Sequence, residues 1–538
     1  MKKSTTALMM FGLLTFLAGC GSDTNNTDTR LQAQGSVEVT DNIMSTSIVS
    51  NDDNVLKAEY EAGFLQGGLQ KEYIISSRDN YWDDTYLTDP AHFFPKQEPP
   101  SRSELDLTGD ILIMNYNYTL NYIKGEQDPT ISLNMKRLIF RMLGIYHGTV
   151  MRDPALLDFS GSWLPELSGF EASELKTNYE TDYVTFMDIY FLNAYCDVMD
   201  VINFSHLSML AKYKRTRCSA FVKKTADDIF ITHNSWSGFL TQTTVMNYYI
   251  KDMFISQNAY SQGLIASNTD FGYTGNGLMY NETTAYARYT EPKIEALWMF
   301  MRSALAENFA STIDEFFGYM SLEASGTYCN GYMVVDIKTG EIGMVEMSYK
   351  NFVFFKTGPD NTIEVTTKPE GIDKGYDTDM VQPDYLLGIN YPASYQIRKD
   401  LDAIDSRPAR KRQFLQMIGG VNDIESAKDL ITYTDPEDPL SIYGRWDLGY
   451  GDTPVPKTVP DGSVDAKAIS ANMARYAMNL QGKFDTSSTN RSFWMKSGTP
   501  SVNGLPFIWS LSQWSGQKLR NVPDVCDGDF NYLNTNIK

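Results

Sequence analysis

The stretch that most constrains the fold is residues 211–238, AKYKRTRCSAFVKKTADDIFITHNSWSG. An apolar segment ends in the basic run Lys214-Arg215-Thr216-Arg217, and Cys218 then opens a run of strand-forming residues, Cys218–Lys223. Lys224-Thr225-Ala226-Asp227 is a polar turn. A second run, Asp228–Thr232, leads to His233, Asn234 and Trp236. Two short β-prone runs around a polar turn specify a β-hairpin. Pairing symmetric about the bond between Thr225 and Ala226 sets Cys218 opposite His233, with their Cβ atoms about 5 Å apart. A thiol is then placed beside an imidazole and a carboxamide at the open end of a sheet.

Helical periodicity precedes this hairpin and strand patterns follow it. Leu56, Tyr60, Phe64, Leu65 and Leu69 recur at helical spacing within Asn54–Ile75. Leu133–His147 and Asp188–Tyr213 are further helices, and residues 76–104 are irregular. Tyr332–Lys338 and Glu341–Met347 flank Thr339-Gly340 as a second hairpin. Asn351–Lys356 and Thr362–Thr367 add strands, with helices at Pro292–Asn308 and Thr312–Met320. A mainly helical part over 53–217, then hairpins with intervening helices over 218–538, makes the class α+β.

The N-terminus carries a different signal. Met1-Lys2-Lys3 is a short basic head, and Ala7–Ala18 is an apolar run too short for a membrane-spanning helix. Leu17-Ala18-Gly19-Cys20 has the form of a bacterial lipoprotein signal, so 1–20 is expected as the signal with Cys20 as the lipidated residue. Gly21 leans towards the outer membrane. The protein is thus expected in the bacterial cell envelope, facing the periplasm or the cell surface, and anchored rather than threaded. Residues 21–52, rich in Ser, Thr, Asn and Asp, are expected to be a flexible tether. The net charge of −21, from 46 basic and 67 acidic residues, disfavours nucleic acid and anionic membrane surfaces as partners. Cys196, Cys218, Cys329 and Cys526 have no metal-type spacing and there are only four His, so no metal or other cofactor is expected. Two of these Cys can pair in an exported protein; the pattern does not say which.

Cys218-Ser219-Ala220-x-Val222-Lys223, then Asp228-x-Phe230, then His233-Asn234-Ser235-Trp236 resembles the phospholipase B-like family of N-terminal nucleophile (Ntn) hydrolases. The resemblance continues in order. It takes in Asn276-Gly277-Leu278 with Glu282-Thr283-Thr284, then Ser325-Gly326-Thr327-Tyr328-Cys329-Asn330, then Ile389-Asn390-Tyr391-Pro392. Gly444-Arg445-Trp446-Asp447-Leu448, Gly462-Ser463-Val464-Asp465-x-Lys467 and Pro506-Phe507-x-Trp509-Ser510 follow. It implies an αββα sandwich of two antiparallel sheets between helical layers. It also implies that the precursor cuts itself between Arg217 and Cys218, leaving Cys218 as nucleophile with its own α-amino group as base. The two groups have ordinary pKa values near 8.5 and 8, close enough for such an exchange.

The resemblance assigns the remaining candidates. His233 and Asn234 orient the nucleophile or assist proton transfer, and Trp236 shapes the pocket wall. Asn390 is the leading oxyanion donor, with Asn330 second. Thr283 donates a site hydrogen bond. Arg407, in a disturbed Pro-Arg-Ala motif, holds the network, with Arg410 the competing assignment. Cys329 stands where the family has Asn. The implied activity is hydrolysis of an acyl ester of phospholipids or lysophospholipids. An amidase for N-acyl amines and a non-enzymatic, lipid-anchored binding protein remain as alternatives.

Overall fold

Helix starts are written in side chains. Ser101 and Glu104 form a reciprocal capping box at α2 (Arg102–Gly125). Asp128 accepts from the N–H groups of Thr130 and Ile131 at α3 (Pro129–Val150), whose first residue is proline. The computed structural model describes residues 32–533 except 41, 87–99, 153–156, 161, 206–216, 239–242, 252, 260, 286, 359, 406–407, 436–440, 445–460, 480–492, 499–506, 512–514, 516–519, 522 and 527–528. The other helices are α1 (Val55–Tyr86), α4 (Phe186–Ser205), α5 (Met299–Phe309), α6 (Ile313–Met320), α7 (Tyr395–Asp400), α8 (Pro408–Met417), α9 (Ile424–Ile431) and α10 (Ala471–Asn479). Among the described residues no helix is long and apolar enough to cross a membrane.

Helices α1 and α3 touch backbone to backbone. A Cβ added at Gly67 would lie 2.0 Å from the Ile145 carbonyl oxygen, and one at Gly144 would lie 2.1 Å from that of Tyr60. Only glycine permits so close a crossing. Polar pairs cross this layer: Glu59 meets Arg137 and Arg141, and Tyr60 Oη lies 2.9 Å from His147 Nδ1.

In chain order the strands are β1 (Ala33–Thr40), β2 (Ile43–Ser50), β3 (Arg217–Lys224), β4 (Ile229–Gly238), β5 (Thr244–Ile250), β6 (Met253–Ala259), β7 (Phe271–Thr274), β8 (Leu278–Thr284), β9 (Asn330–Asp336), β10 (Glu341–Met347), β11 (Phe352–Thr357), β12 (Ile363–Lys368), β13 (Val381–Gln382), β14 (Tyr385–Gly388), β15 (Asp461–Ser470), β16 (Trp494–Ser497), β17 (Phe507–Ile508), β18 (Val525–Cys526) and β19 (Asn531–Tyr532). They build a ten-stranded sheet, β1-β2-β5-β6-β7-β8-β9-β10-β11-β12, a seven-stranded sheet, β13-β14-β3-β4-β15-β16-β19, and a separate β17-β18 pair. Among the described residues pairing is antiparallel except between β2 and β5. The sheets face each other, and Asn281 on β8 donates to the main-chain oxygen of Thr232 on β4 at 2.7 Å. Helix α1 covers β1, β2 and β5, α6 covers β9 and β10, and α9 with α10 covers β4 and β15. The architecture is an α+β sandwich.

Two expectations are corrected. Residues 33–50, read as part of a flexible tether, form β1 and β2, with Ile43, Met44 and Ile48 fully buried. The Ser45-Thr46-Ser47 run that suggested a solvated tether is flanked by Ile43-Met44 and Ile48-Val49, and Thr46 and Ser47 are themselves buried in the strand. The segment from 76, read as irregular, continues α1 to Tyr86, and α2 begins at Arg102. Cys20 lies outside the described residues.

Candidate active site

The hairpin is present, but its register is displaced by one pair. Cys218 opposes Ser235, Ser219 opposes Asn234 and Ala220 opposes His233. Asp228, read as the start of a strand, belongs to the turn. Its N–H is accepted by Thr225 Oγ1 at 3.0 Å and its carbonyl accepts the Thr225 N–H at 2.8 Å. The midpoint therefore moves by one residue and each partner by two. Because side chains alternate with period two, Cys218 and His233 still share a face, now diagonally.

On that face β15 adds Lys467 opposite His233 and Asp465 opposite Ser235. Lys467 Nζ donates to Asp465 Oδ1 at 2.6 Å and to Ser235 Oγ at 2.7 Å, all fully or almost fully buried. From the facing sheet, Glu282 on β8 brings a carboxylate oxygen within 4.8 Å of both the Cys218 sulfur and an imidazole nitrogen of His233. His233 is fully buried, and neither ring nitrogen makes a well-formed hydrogen bond; the Glu282 main chain lies beside the ring and favours its charged form. Asn330, at the start of β9, is buried against Glu282. Thr283 packs on Gly388 of β14, where a Cβ would approach it to 2.7 Å.

Burial shifts Cys218, His233 and Glu282 towards their neutral forms. Burial pushes the Cys218 thiol well above its usual range and Glu282 adds to this, while the Trp236 main-chain N–H and Lys467 oppose it. Burial, with Lys467 next, holds His233 well below an ordinary imidazole. Burial, followed by Asp270, raises Glu282, and Asp270 itself is raised to about 6 by burial. The intact chain thus favours thiol, neutral imidazole and protonated carboxyl, because desolvation penalises each charged form.

The main chain of Cys218 is gripped as firmly as its side chain is buried. Asn390, at φ 62°, accepts the Cys218 N–H on Oδ1 at 3.0 Å and donates from Nδ2 to the Thr284 carbonyl at 2.7 Å. Arg410 on α8 donates from Nη1 to the Cys218 carbonyl at 2.6 Å and to Asn390 Oδ1 at 3.0 Å. These donors and acceptors fix the carboxamide's orientation. Asn390 therefore turns its acceptor towards Cys218, where an oxyanion site requires a donor. Arg410, the competing assignment, reaches the centre; Arg407 lies outside the described residues.

Asn234 does not join this cluster. It accepts the Ser219 N–H at 3.0 Å and donates to the carbonyls of Ile431 and Ile442, at 2.8 and 2.9 Å. It sits on the opposite face and ties the hairpin to the outer layer. Trp236 is buried on that face too, close under Gly444, with the Arg410 guanidinium 5.7 Å from its ring. Cys196, Cys218 and Cys329 are free thiols. Glu282, Asp465 and Lys467 were not singled out from sequence. The available signal was the i, i+2 spacing of Asp465 and Lys467, which puts both on one strand face.

A sandwich that closes a thiol, an imidazole and a carboxyl between its sheets defines an α+β protein with a buried polar cluster at its centre. The chain belongs to the phospholipase B family, whose model, described as Phospholipase B, matches residues 163–515. It is similar to Phospholipase-B 81 of Drysdalia coronoides, 24% identical across 88% of this chain and 81% of the relative. It is also similar to Phospholipase B of Crotalus adamanteus, 23% identical over the same shares. Phospholipase B-like 1 of Rattus norvegicus is 26% identical over 70% of each chain.

Proposed function

We propose that the chain matures by cutting its own Arg217–Cys218 bond, and that residues 218–538 then act as an N-terminal cysteine hydrolase on acyl esters of phospholipids or lysophospholipids. The observation that carries this reading is the grip of Asn390 and Arg410 on the main chain of Cys218. The nitrogen held by Asn390 is the atom that becomes the α-amino group after the cut. The substrate class is drawn from the family and from relatives named phospholipase B.

In maturation the Cys218 thiol gives up its proton and attacks the Arg217 carbonyl carbon. The C–N bond breaks, the Cys218 nitrogen takes a proton, and Arg217 is left as a thioester on Sγ. Water hydrolyses the thioester, giving an Arg217 carboxylate and free thiol. In turnover the new amine takes the thiol proton as sulfur attacks the substrate ester. That proton leaves on the departing alcohol, and water cleaves the second thioester. Asn390 Oδ1 accepts one amine N–H and so aims the lone pair. Asn330, with its carboxamide beside Glu282, is the proposed oxyanion donor.

The test is to fold purified precursor without proteases and follow intact masses and N-terminal sequence. The expected products are a chain ending at Arg217 and a chain from Cys218 to Lys538, with Cys218→Ala full length and inactive. Wild-type chain that hydrolyses acyl substrates while still joined at this bond would sink the mechanism. Cleavage of the Ala variant at the same bond would assign the cut to an outside protease.

A further inference from the structure

Three strands, β3, β4 and β8, add Glu282 to the Cys218 and His233 that the hairpin spacing already set side by side. Cys218 Sγ, a His233 ring nitrogen and a Glu282 carboxylate oxygen lie within 4.8 Å of one another, all buried. We propose that these three side chains, completed by the freed amino group of Cys218, form a binding site for a thiophilic divalent cation such as Zn²⁺, and that occupancy switches the enzyme off. The fourth donor rests on the proposed cut at Arg217–Cys218.

The donor set selects the metal class. Thiolate and imidazole are poor ligands for Ca²⁺ and Mg²⁺, which take oxygen, and are good ones for Zn²⁺. Donor atoms around tetrahedral Zn²⁺ stand about 3.5 Å apart, so the trio closes with side-chain rotations of about an ångström. His233 supplies an independent indication. It is fully buried with neither nitrogen in a well-formed hydrogen bond, whereas buried polar groups ordinarily find partners. Cys218 would bind through nitrogen and sulfur together, closing a five-membered chelate ring. With His233 and Glu282 this makes four protein ligands, the closed arrangement of an inhibited or structural site rather than a catalytic one.

The surroundings fit this role. Asn330 lies against Glu282 and can orient its carboxylate. Lys467 brings a positive charge, but its ammonium is engaged by Asp465 and Ser235. Binding converts the thiol to thiolate and the carboxyl to carboxylate, so protons are released to solvent. Metal holding both the nucleophile and its base leaves neither free for acyl transfer. The same metal on the uncut chain has three ligands and still sequesters the thiol, so it also delays the cut.

The test uses the full chain after folding, with Co²⁺ and Zn²⁺ as probes and intact mass read in parallel. Expected for cut protein are one Zn²⁺ per chain by calorimetry, loss of acyl hydrolysis restored by EDTA, and a thiolate-to-cobalt charge-transfer band with the intense visible bands of four-coordinate Co²⁺. Glu282→Gln should weaken Zn²⁺ at least about tenfold. His233→Ala should lower the affinity for Co²⁺ and weaken the four-coordinate visible bands, and Gln is the second variant if Ala does not fold. Cut protein without the band at millimolar Co²⁺ overturns the metal site while leaving maturation standing. Uncut protein that shows the band supports the three-residue site, and if it stays uncut after EDTA has removed the metal, the amino group leaves the site and the maturation reading falls with it.

Discussion

His147 and His233 are both buried imidazoles, and they behave oppositely. His147 sits in the helical layer with Nδ1 2.9 Å from Tyr60 Oη, among paired groups such as Glu59 with Arg141. His233 sits between the sheets with neither nitrogen in a well-formed hydrogen bond, beside a buried thiol and carboxyl. A satisfied buried polar group contributes to the fold and is inert. One left unsatisfied costs stability and remains available to react. His147 exemplifies the first arrangement and His233 the second.

The strongest way to break this contrast is at Asn390. Its Oδ1 positions the Cys218 nitrogen, so Asn390→Ala should lower kcat by on the order of 10²-fold on a good substrate, the cost typical of misplacing a reacting group. Circular dichroism should show the fold retained. Unchanged turnover would remove Asn390 from the mechanism.

His147 offers the next largest effect. Burial, then Arg152, depresses it from 6.5 to about 4. A base depressed in the folded state contributes stability that is present above pH 6.5 and lost as pH falls towards 4. The loss should be on the order of 3 kcal/mol. Urea midpoints measured from pH 7 to 4 should fall less steeply in His147→Gln than in wild type. Equal slopes would show that His147 does not carry this dependence.

The smallest effect sharpens the contrast within the hairpin itself. Asn234 lies one residue from His233 but spends its carboxamide on three main-chain groups. Asn234→Ala should cost about 2 kcal/mol of stability. Turnover per folded chain should drop far less than in Asn390→Ala. A larger catalytic than stability effect would return Asn234 to the chemistry.

Local pattern made much of this legible. The Cys218 hairpin, the β9–β10 hairpin and helices α1, α3 and α6 follow from periodicity and turn residues. The register slipped because Thr225 draws Asp228 into the turn, a side-chain contact that residue types alone do not specify. Arg410 was separable from Arg407 only once Pro408 was seen to start α8, which carries Arg410 to the Cys218 carbonyl. Glu282 could not be placed beside Cys218 from sequence, because their meeting depends on one sheet packing on another. β1 and β2 were missed for a related reason: their Ser and Thr read as solvated until β5 supplies a neighbour for β2.

That pairing changes what a cut before Cys218 would do. β1 and β2 come from before residue 217, yet they continue the sheet that β5 begins, and α1 covers all three. A chain broken there would hold one sheet built from two molecules. Its unfolding would then be a dissociation, with a melting temperature that rises with protein concentration. Refolding would be second order and slow when dilute. Uncut precursor would show neither dependence, so dilution alone distinguishes the two forms and makes maturation a step that the molecule does not readily retrace.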